Sequence, residues 1–546
     1  MNIALAQINY HIGNFQDNTG KIIDHIQKAK DAGADLVVFA ELAISGYPPR
    51  DFLEFKDFVS MCEQSVEEIA THCKGIAAIL GTPVFNPHKK GKPLYNAAAF
   101  LYDGKVKEYR YKTLLPNYDI FDEYRYFEPN KVFEVIEFKD TRFALTICED
   151  LWNVQDNPLY TINPMDELMD QKPEFIINIA ASPFNYHQID IRTEILQRNA
   201  RKYALPLLYV NHVGAQTELL FDGGSMIMDK NGDILDEMEY FDEDFQIYEL
   251  EDILDGRIRR GKTNTRTETG MIQDALVMGI RNYFRKLGFS KAILGSSGGI
   301  DSAVTAVLAA YALGPENVMN IMMPSRFSTD HSLKDAIDLA QNLGMPYEVI
   351  NIEKGFKAFE ETLKPIFKEL PFDITEENLQ ARTRGVILMA LSNKFGHILL
   401  NTSNKSEAAV GYGTLYGDMN GGLSVLGDVY KTQVFKLARY INRDKEVIPE
   451  HIITKPPSAE LRHGQLDADS LPDYKDLDEI LYQYIELRQG PAEIIAMGFD
   501  ENLVKRTLKL VNTNEYKRYQ TPPILRVSSK AFGMGRRMPI VAKYLS

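Results

Sequence analysis

The stretch Gly295-Ser-Ser-Gly-Gly-Ile-Asp-Ser302 lies between a short apolar run, Lys291-Ala-Ile-Leu294, and a helix-like segment that begins at Ala303. A strand that turns through adjacent glycines into a helix is suited to bind phosphate. The glycines let backbone N–H groups approach the oxygens, and the helix N-terminus adds partial positive charge. The serines supply hydroxyl donors, and Asp301 can bind a magnesium ion that accompanies a nucleotide. The sequence therefore predicts an α/β nucleotide-binding domain with a doubly wound parallel sheet.

The loop is not of the Walker type, because no lysine follows its glycines directly. The pattern Ser-Gly-Gly-x-Asp-Ser resembles instead the pyrophosphate loop of ATP pyrophosphatases. That resemblance implies an enzyme that splits ATP into AMP and pyrophosphate to activate a carboxyl or carbonyl group.

Length and charge limit the remaining possibilities. A chain of 546 residues is too long for one hydrophobic core, so two or more domains are expected. The formal net charge of −15 disfavours a general nucleic-acid binder, which would carry a basic field. No apolar run is long enough for a membrane span, and the N-terminus is typical of a first strand. Because the three cysteines lack metal-site or disulfide spacing, a soluble, cytoplasmic enzyme is expected.

The periodicity indicates two α/β halves. The first half alternates buried strand candidates such as 141–147 with amphipathic helix candidates such as 189–203, and becomes hairpin-like after Tyr209. Around 256–269 the chain turns polar and charged, which suits a linker. The predicted domains are therefore 1–255 and 270–546, joined by a linker of residues 256–269.

Three further segments follow the phosphate loop: Glu377–Arg384, Leu400–Asp418 and Gly421–Lys431. In the second, a strand end is followed by Thr402, Ser403, Lys405 and Glu407. Such side chains suit adenosine contacts and a second magnesium ligand opposite Asp301. Taken alone, the segment is better explained as a polar loop with capping Ser and Asn residues.

Together with Pro456-Pro-Ser-Ala-Glu-Leu461, these segments resemble NAD synthetases over residues 270–546. The resemblance implies a Rossmann-like domain of the adenine nucleotide α-hydrolase type. Its implied substrates are ATP and nicotinic acid adenine dinucleotide (deamido-NAD), whose nicotinate carboxylate attacks the α-phosphate before ammonia displaces AMP. The implied ATP contacts are Gly295, Ser296, Ser297, Gly298, Gly299, Ile300, Asp301, Ser302 and Thr402. The implied magnesium ligands are Asp301 and Glu407, and the implied deamido-NAD contacts are Asn378, Glu407 and Lys517.

The first half contains residues that could release ammonia. Cys148 directly follows an apolar strand, where a nucleophile is exposed and neighbouring N–H groups can stabilise an oxyanion. Glu41 ends another strand, and Lys112 follows a β-like run. A carboxylate base, a lysine and a thiol can together perform acyl transfer. Taken singly, the cysteine could be a small core residue and the two charged groups surface residues.

The order Glu, Lys, Cys resembles the nitrilase superfamily over about residues 1–250. It implies a four-layer αββα sandwich with a Glu41-Lys112-Cys148 triad that hydrolyses amides. Joined to the second half, it resembles the glutaminase of glutamine-dependent NAD synthetases. That resemblance implies glutamine contacts from Tyr118, Ser182 and, where many relatives carry a lysine, Gln188. Glu149 either orients the site or caps the following helix, and capping is the expectation.

Three functions are weighed: a ligase whose glutaminase supplies ammonia, an ammonia-dependent synthetase with a separate or inert front half, and a nucleotide-binding regulator without turnover. The intact triad argues against an inert front half, and Asp301 with Glu407 argues against loss of the ligase. The first function is therefore the prediction. A closed ammonia passage is expected, because ammonia in water would be protonated. A homo-oligomer is also expected from the resemblance. The predicted partners are glutamine, ATP, Mg²⁺ and deamido-NAD, with no nucleic acid and no membrane.

Overall fold

The computed structural model describes residues 1–155, 157–258, 264–469 and 471–545. It forms two compact units, Met1–Thr265 and Arg266–Ser546. Residues 259–263 of the predicted linker lie outside the described residues. The last two residues of that linker, 268 and 269, belong to a helix that begins at Glu268. Among the described residues, no helix is both long enough and apolar enough to cross a membrane.

The first unit consists mainly of strands. Its strands are β1 (Asn2–Gln7), β2 (Leu36–Val38), β3 (Ala77–Phe85), β4 (Leu94–Tyr102), β5 (Lys105–Tyr111), β6 (Ile136–Phe138), β7 (Thr141–Ile147), β8 (Phe175–Ile179), β9 (Leu207–Val210), β10 (Val213–Gln216), β11 (Leu219–Asp222), β12 (Met226–Met228), β13 (Ile234–Glu237) and β14 (Asp244–Glu249). Its helices are α1 (Phe15–Asp31), α2 (Lys56–His72), α3 (Glu123–Tyr126), α4 (Pro164–Leu168), α5 (Gln188–Tyr203) and α6 (Leu250–Leu254).

Two six-stranded sheets form the centre of this unit, in the orders β14-β1-β2-β3-β4-β5 and β13-β12-β9-β8-β7-β6, beside the hairpin β10-β11. Buried apolar residues of both sheets join in one core. Helices α1 and α2 pack on the first sheet. Helix α4 packs on β7, and both α4 and α5 pack on the turn that follows β7. The predicted four-layer αββα sandwich is confirmed.

The parallel strands of each sheet determine where the functional side chains lie. Strands β1, β2 and β3 are parallel, as are β7, β8 and β9, and all five residues of β8 are buried. Because parallel strands end at the same edge of a sheet, residues that follow β7, β8 and β9 are brought together. The hairpin predicted after Tyr209 is present, since β12 pairs antiparallel with β13.

The second unit is a parallel sheet surrounded by helices, in the order β17-β16-β15-β18-β19. Its strands are β15 (Ala292–Gly295), β16 (Val318–Met322), β17 (Tyr347–Val349), β18 (Ile398–Asn401) and β19 (Leu423–Ser424). Its helices are α7 (Glu268–Leu287), α8 (Ile300–Leu313), α9 (Asp330–Leu343), α10 (Glu353–Phe367), α11 (Ile374–Phe395), α12 (Lys405–Val410), α13 (Lys431–Ile441), α14 (Glu450–Thr454), α15 (Tyr474–Ile485), α16 (Pro491–Ala496), α17 (Glu501–Thr513) and α18 (Glu515–Arg518). The predicted doubly wound parallel sheet is confirmed, with the phosphate loop at the carboxyl end of β15.

Candidate functional sites

The first site lies where strands of both sheets end. Lys112 directly follows β5, Cys148 directly follows β7, and Glu41 lies three residues beyond the end of β2. The Lys112 Nζ lies 2.7 Å from the Glu41 Oε1, and both side chains are essentially inaccessible to solvent. The structure thus pairs two of the three predicted triad residues inside the core rather than on the surface.

The Glu41 carboxylate is held by further donors. Asn96 Nδ2 donates to its Oε1 at 2.7 Å, and the backbone N–H of Ala181 donates to its Oε2 at 2.9 Å. Ala181 follows β8, so this bond connects the ends of the two sheets. A buried carboxylate with three donors has a fixed orientation.

Cys148 begins the 3-10 turn Cys148–Leu151 with a φ of +43°, a conformation that non-glycine residues rarely adopt. Asp150 stabilises this turn, because its carboxylate accepts N–H bonds from Thr113 and Leu114 at 2.9 Å and from Ile147 at 3.1 Å. Burial, followed by the charge of Glu41, raises the pKa of the Cys148 thiol well above its usual range, while Lys112 opposes the shift. Burial and the neighbouring carboxylate therefore favour the neutral thiol over the thiolate.

A second carboxylate, Glu123 in α3, also contacts the lysine. Its Oε2 lies 2.8 Å from the Lys112 Nζ, and its Oε1 accepts a 2.9 Å bond from the Tyr47 hydroxyl. Burial raises the pKa of Glu123 to about 7, since one lysine cannot neutralise both carboxylates. Sequence reasoning missed Glu123, because it lies in a charged run that is typical of a solvated surface.

Glu149 does not cap the helix-like turn that follows Cys148, so that expectation is wrong. Its Oε1 accepts hydrogen bonds from the hydroxyls of Tyr118 at 2.8 Å and Tyr160 at 3.0 Å. Asp150 makes the capping contacts instead. Burial raises the pKa of Glu149 to about 7. Tyr118, a predicted glutamine contact, is thereby hydrogen-bonded to the residue next to Cys148.

The other two predicted glutamine contacts differ in position. The backbone N–H of Ser182 donates to Asn211 Oδ1 at 2.9 Å, beside the Ala181 N–H that reaches Glu41. Gln188 begins α5, and its Oε1 accepts a 3.1 Å bond from Asn185 Nδ2. No hydrogen bond within the described ranges joins Gln188 to the triad. Ser182 therefore belongs to the same strand edge as the triad, whereas Gln188 lies on the adjoining helix.

The second site is built around the phosphate loop of the second unit. Ser302 Oγ accepts from the Ser297 N–H at 3.3 Å and donates to the Gly299 carbonyl at 2.9 Å, which closes the loop on the start of α8. Gly298 has a φ of +76°, and a Cβ there would lie 2.1 Å from the Ser332 carbonyl oxygen. Glycine is therefore required at 298 by both conformation and space.

A cavity of about 320 Å³ opens beside this loop. Nearly all of the predicted ATP contacts line it, namely Gly295, Ser296, Ser297, Gly299, Ile300, Asp301, Ser302 and Thr402. Gly298 is turned toward Ser332 instead. The arrangement matches the need of a nucleotide for a concave site at the carboxyl ends of parallel strands.

Two carboxylates share one lysine at the end of the loop. The Lys431 Nζ lies 2.5 Å from Asp301 Oδ2 and 3.5 Å from Glu407 Oε1. Asn404 connects both acids, since its Nδ2 donates to Asp301 Oδ1 at 2.9 Å while its Oδ1 accepts the Glu407 N–H at 2.9 Å. Burial and the charge of Asp301 raise the pKa of Glu407 to about 8.

This donor set fits magnesium, which binds through one or two carboxylates together with substrate phosphates. In the part of the chain that the structure describes, no group of three or more metal-binding side chains occurs, so phosphate oxygens and water would complete the coordination. The sequence contained both Asn404 and Lys431 within the quoted motifs, but spacing alone did not reveal that they meet at Asp301.

The predicted dinucleotide contacts Asn378 and Lys517 converge on one segment rather than on the cavity wall. The Lys517 Nζ donates to the carbonyls of Gly411 and Gly413, both at 2.8 Å. Asn378 Oδ1 accepts from the Thr414 hydroxyl at 2.7 Å. This segment follows α12, which carries Glu407.

Lys405 does not reach the cavity, contrary to the expectation from its segment. Its Nζ is completely buried at 2.9 Å from both Asp428 and Glu486. The lysine therefore anchors the start of α12 in the interior of the unit.

Known proteins resemble both halves of the chain. The family model for carbon-nitrogen hydrolases matches residues 2–252, and the model for NAD synthase matches residues 272–521. A glutamine-dependent NAD(+) synthetase from Synechocystis sp. is 44% identical over an alignment of 551 positions that covers 99% of each chain. One from Thermotoga maritima is 40% identical over 581 residues, covering 100% of this chain and 99% of the relative.

This chain belongs to the glutamine-dependent NAD(+) synthetase family. A solved structure of such a synthetase from Acinetobacter baumannii, in complex with adenosine diphosphate, superposes with a TM-score of 0.78 at 40% identity and covers 99% of this chain and 98% of its own. The synthetase from Cytophaga hutchinsonii has a TM-score of 0.84 at 21% identity, covers 99% and 98% of the two chains, and supports the fold. The predicted family, fold and ligase class are confirmed.

Proposed function

We propose that this synthetase makes NAD from deamido-NAD, ATP and glutamine, with Cys148 as the nucleophile that releases ammonia. One observation carries the proposal. A single chain combines a buried carboxylate-lysine pair at the strand edge that bears a cysteine with a phosphate loop whose aspartate faces a second carboxylate. A glutamine-dependent NAD synthetase needs two activities: hydrolysis of an amide and ATP-dependent activation of a carboxylate.

In the glutaminase unit, the Cys148 thiolate attacks the side-chain amide carbon of glutamine after Glu41 takes the thiol proton. The Lys112 ammonium stabilises the oxyanion of the tetrahedral intermediate. Glu41 returns the proton to the departing nitrogen, so ammonia leaves and a thioester to Cys148 remains. Water, deprotonated by Glu41, then attacks the thioester carbon. Glutamate forms as the C–S bond breaks, and Glu41 returns the proton to the Cys148 sulfur. Tyr118, Ser182 and Gln188 are the proposed glutamine contacts.

In the synthetase unit, residues 295–302 and Thr402 bind ATP. A nicotinate carboxylate oxygen of deamido-NAD attacks the α-phosphorus, and the electron pair of the breaking P–O bond leaves with pyrophosphate. Ammonia then attacks the nicotinate carbonyl carbon, the C–O bond to AMP breaks, and the nitrogen releases one proton to solvent as the amide forms. Asn378, Glu407 and Lys517 are the proposed contacts to deamido-NAD. Asp301 and Glu407 would hold Mg²⁺, which supplies positive charge to the phosphate oxygens when bound.

Three further properties belong to this proposal. The enzyme assembles as a homo-oligomer and acts in the cytoplasm, and its functional domains are residues 1–255 and 270–546. The two family models and the two compact units support a division within residues 256–269.

The test compares nitrogen sources. NAD and AMP formation from deamido-NAD, ATP and Mg²⁺ is measured with either glutamine or ammonium for the unaltered protein, Cys148→Ala and the control Cys73→Ala, which removes a buried thiol elsewhere. We expect Cys148→Ala to lose synthesis from glutamine and to keep synthesis from ammonium, while the control keeps both. If the unaltered protein uses ammonium but never glutamine, the first unit acts on another amide and the proposal is wrong for that unit.

A further inference from the structure

Helix α11 turns one face into the nucleotide cavity of the second unit. Ala381, Arg384, Gly385 and Leu388 line the cavity, and their spacing of three to four residues puts them on one side of the helix. Gly385 allows close packing, because a Cβ there would lie 2.7 Å from the Tyr416 carbonyl oxygen. Arg384 is the charged residue of this face.

The lysines of the cavity wall already have carboxylate partners. Lys431 pairs with Asp301 at 2.5 Å, and Lys455 pairs with Asp335 at 2.9 Å. Arg384 differs, since its Nε donates to the Met323 carbonyl at 3.0 Å but its guanidinium forms no ion pair with any carboxylate of the described residues.

The charge of Arg384 is therefore poorly balanced in the absence of substrate. Burial is the main cause that lowers its pKa to about 10, and Glu460 and Asp418 offset this only as more distant charges. The guanidinium is still a cation at neutral pH. Because a charge that is partly removed from water is destabilising unless it is paired, an anion that enters the cavity would be stabilised beside this half-buried side chain.

The position of Arg384 indicates which anion this is. Its hydrogen-bond partner Met323 lies against the beginning of the phosphate loop: a Cβ at Gly295 would be 3.3 Å from the Met323 methyl and 3.2 Å from Leu388. A guanidinium offers parallel N–H donors that match phosphate oxygens.

We propose that Arg384 is a catalytic residue that binds phosphate oxygens of ATP and offsets their charge as pyrophosphate departs. This inference rests on the proposed function. Phosphate oxygens could also come from the pyrophosphate of deamido-NAD, so the two substrates are titrated separately. During the step, the carboxylate oxygen forms its bond to the α-phosphorus as the bond to pyrophosphate breaks, and Arg384 donates hydrogen bonds throughout without losing a proton.

The experiment compares Arg384→Met and Arg384→Lys with Lys394→Met, which removes an exposed cation from the same helix. The dissociation constants of ATP with Mg²⁺, of adenosine and of deamido-NAD are measured by calorimetry. We expect Arg384→Met to bind ATP about ten- to a hundred-fold more weakly, as for loss of a charged hydrogen bond, with adenosine changed less than two-fold. Arg384→Lys should recover part of the affinity, and Lys394→Met should match the unaltered protein.

Two results would overturn the inference. One is equal weakening of ATP and adenosine, which indicates a structural role. The other is unchanged ATP affinity, with or without weaker binding of deamido-NAD. Retained binding of adenosine shows that the second unit of each variant is folded. If the unaltered protein forms no NAD, the proposed function fails; if both it and Arg384→Met bind ATP and form NAD equally, only the role of Arg384 fails.

Discussion

Replacing Lys112 by methionine tests the charge balance of the glutaminase site. The lysine is essentially buried and lies 2.7 Å from Glu41 and 2.8 Å from Glu123. Removing it leaves two buried carboxylates without their cation, and breaking a buried ion pair in this way is destabilising by about 3–5 kcal/mol. For a unit of this size, that corresponds to a decrease in melting temperature of roughly 6–20 °C.

Activity should change independently of stability. Loss of one oxyanion donor lowers turnover by about 10²–10³-fold, so NAD synthesis from glutamine should fall by that factor at a temperature where the variant is folded. Synthesis from ammonium should be unchanged, because the phosphate loop lies in the other unit. The assay is calorimetric melting together with NAD formation from each nitrogen source. Lys105→Met, an exposed substitution on β5, is the control.

A double substitution separates the electrostatic cause from simple loss of packing. Adding Glu123→Gln to Lys112→Met removes one of the two uncompensated carboxylates, so it should restore at least half of the lost stability without restoring glutamine use. The reasoning is refuted if Lys112→Met melts within 1 °C of the control, or if the double variant is less stable than the single one.

Two further predictions concern Glu123 and Gly298. Because the pKa of Glu123 is raised from 4.5 to about 7, the folded state binds its proton more tightly than the unfolded state. Its contribution to stability is therefore lost as pH rises from about 4.5 to about 7. The free energy of unfolding, measured with urea at pH 5 and pH 7.5, should fall by about 2–3 kcal/mol less in Glu123→Gln than in the unaltered protein. An equal fall in both proteins would contradict this prediction. Gly298→Ala should weaken ATP binding more than ten-fold, because its Cβ would meet the Ser332 carbonyl at 2.1 Å. Gly344→Ala, with a φ of +70° but nothing within 4 Å, should retain ATP affinity, and equal effects of the two would show that φ alone matters.

Continuous apolar runs made much of the fold predictable. Strand β7 has the bounds that the sequence predicts, 141–147, because buried parallel strands contain few polar residues. Strand β4 was not predicted. Its segment Leu94–Tyr102 contains three consecutive alanines, which favour a helix locally, and it is a strand because it pairs with β3 and β5.

The sequence singled out Cys148, which directly follows β7, and Asp301, which lies at the start of α8 after the phosphate loop. Glu123, Asn404 and Lys431 were not assigned, because their partners lie 11 to 130 residues away along the chain. Only folding brings these charges together, so no local pattern could identify them.

The two sites nevertheless follow one electrostatic design. In each, a buried lysine lies between two carboxylates: Lys112 between Glu41 and Glu123, and Lys431 between Asp301 and Glu407. One cation cannot balance two acids, so burial raises the pKa of one acid in each group, Glu123 to about 7 and Glu407 to about 8. An acid with a raised pKa takes up a positive charge readily. Under the proposed function, the base of the glutaminase site takes up the proton of the Cys148 thiol, and the carboxylates of the synthetase site would hold the Mg²⁺ that accompanies ATP.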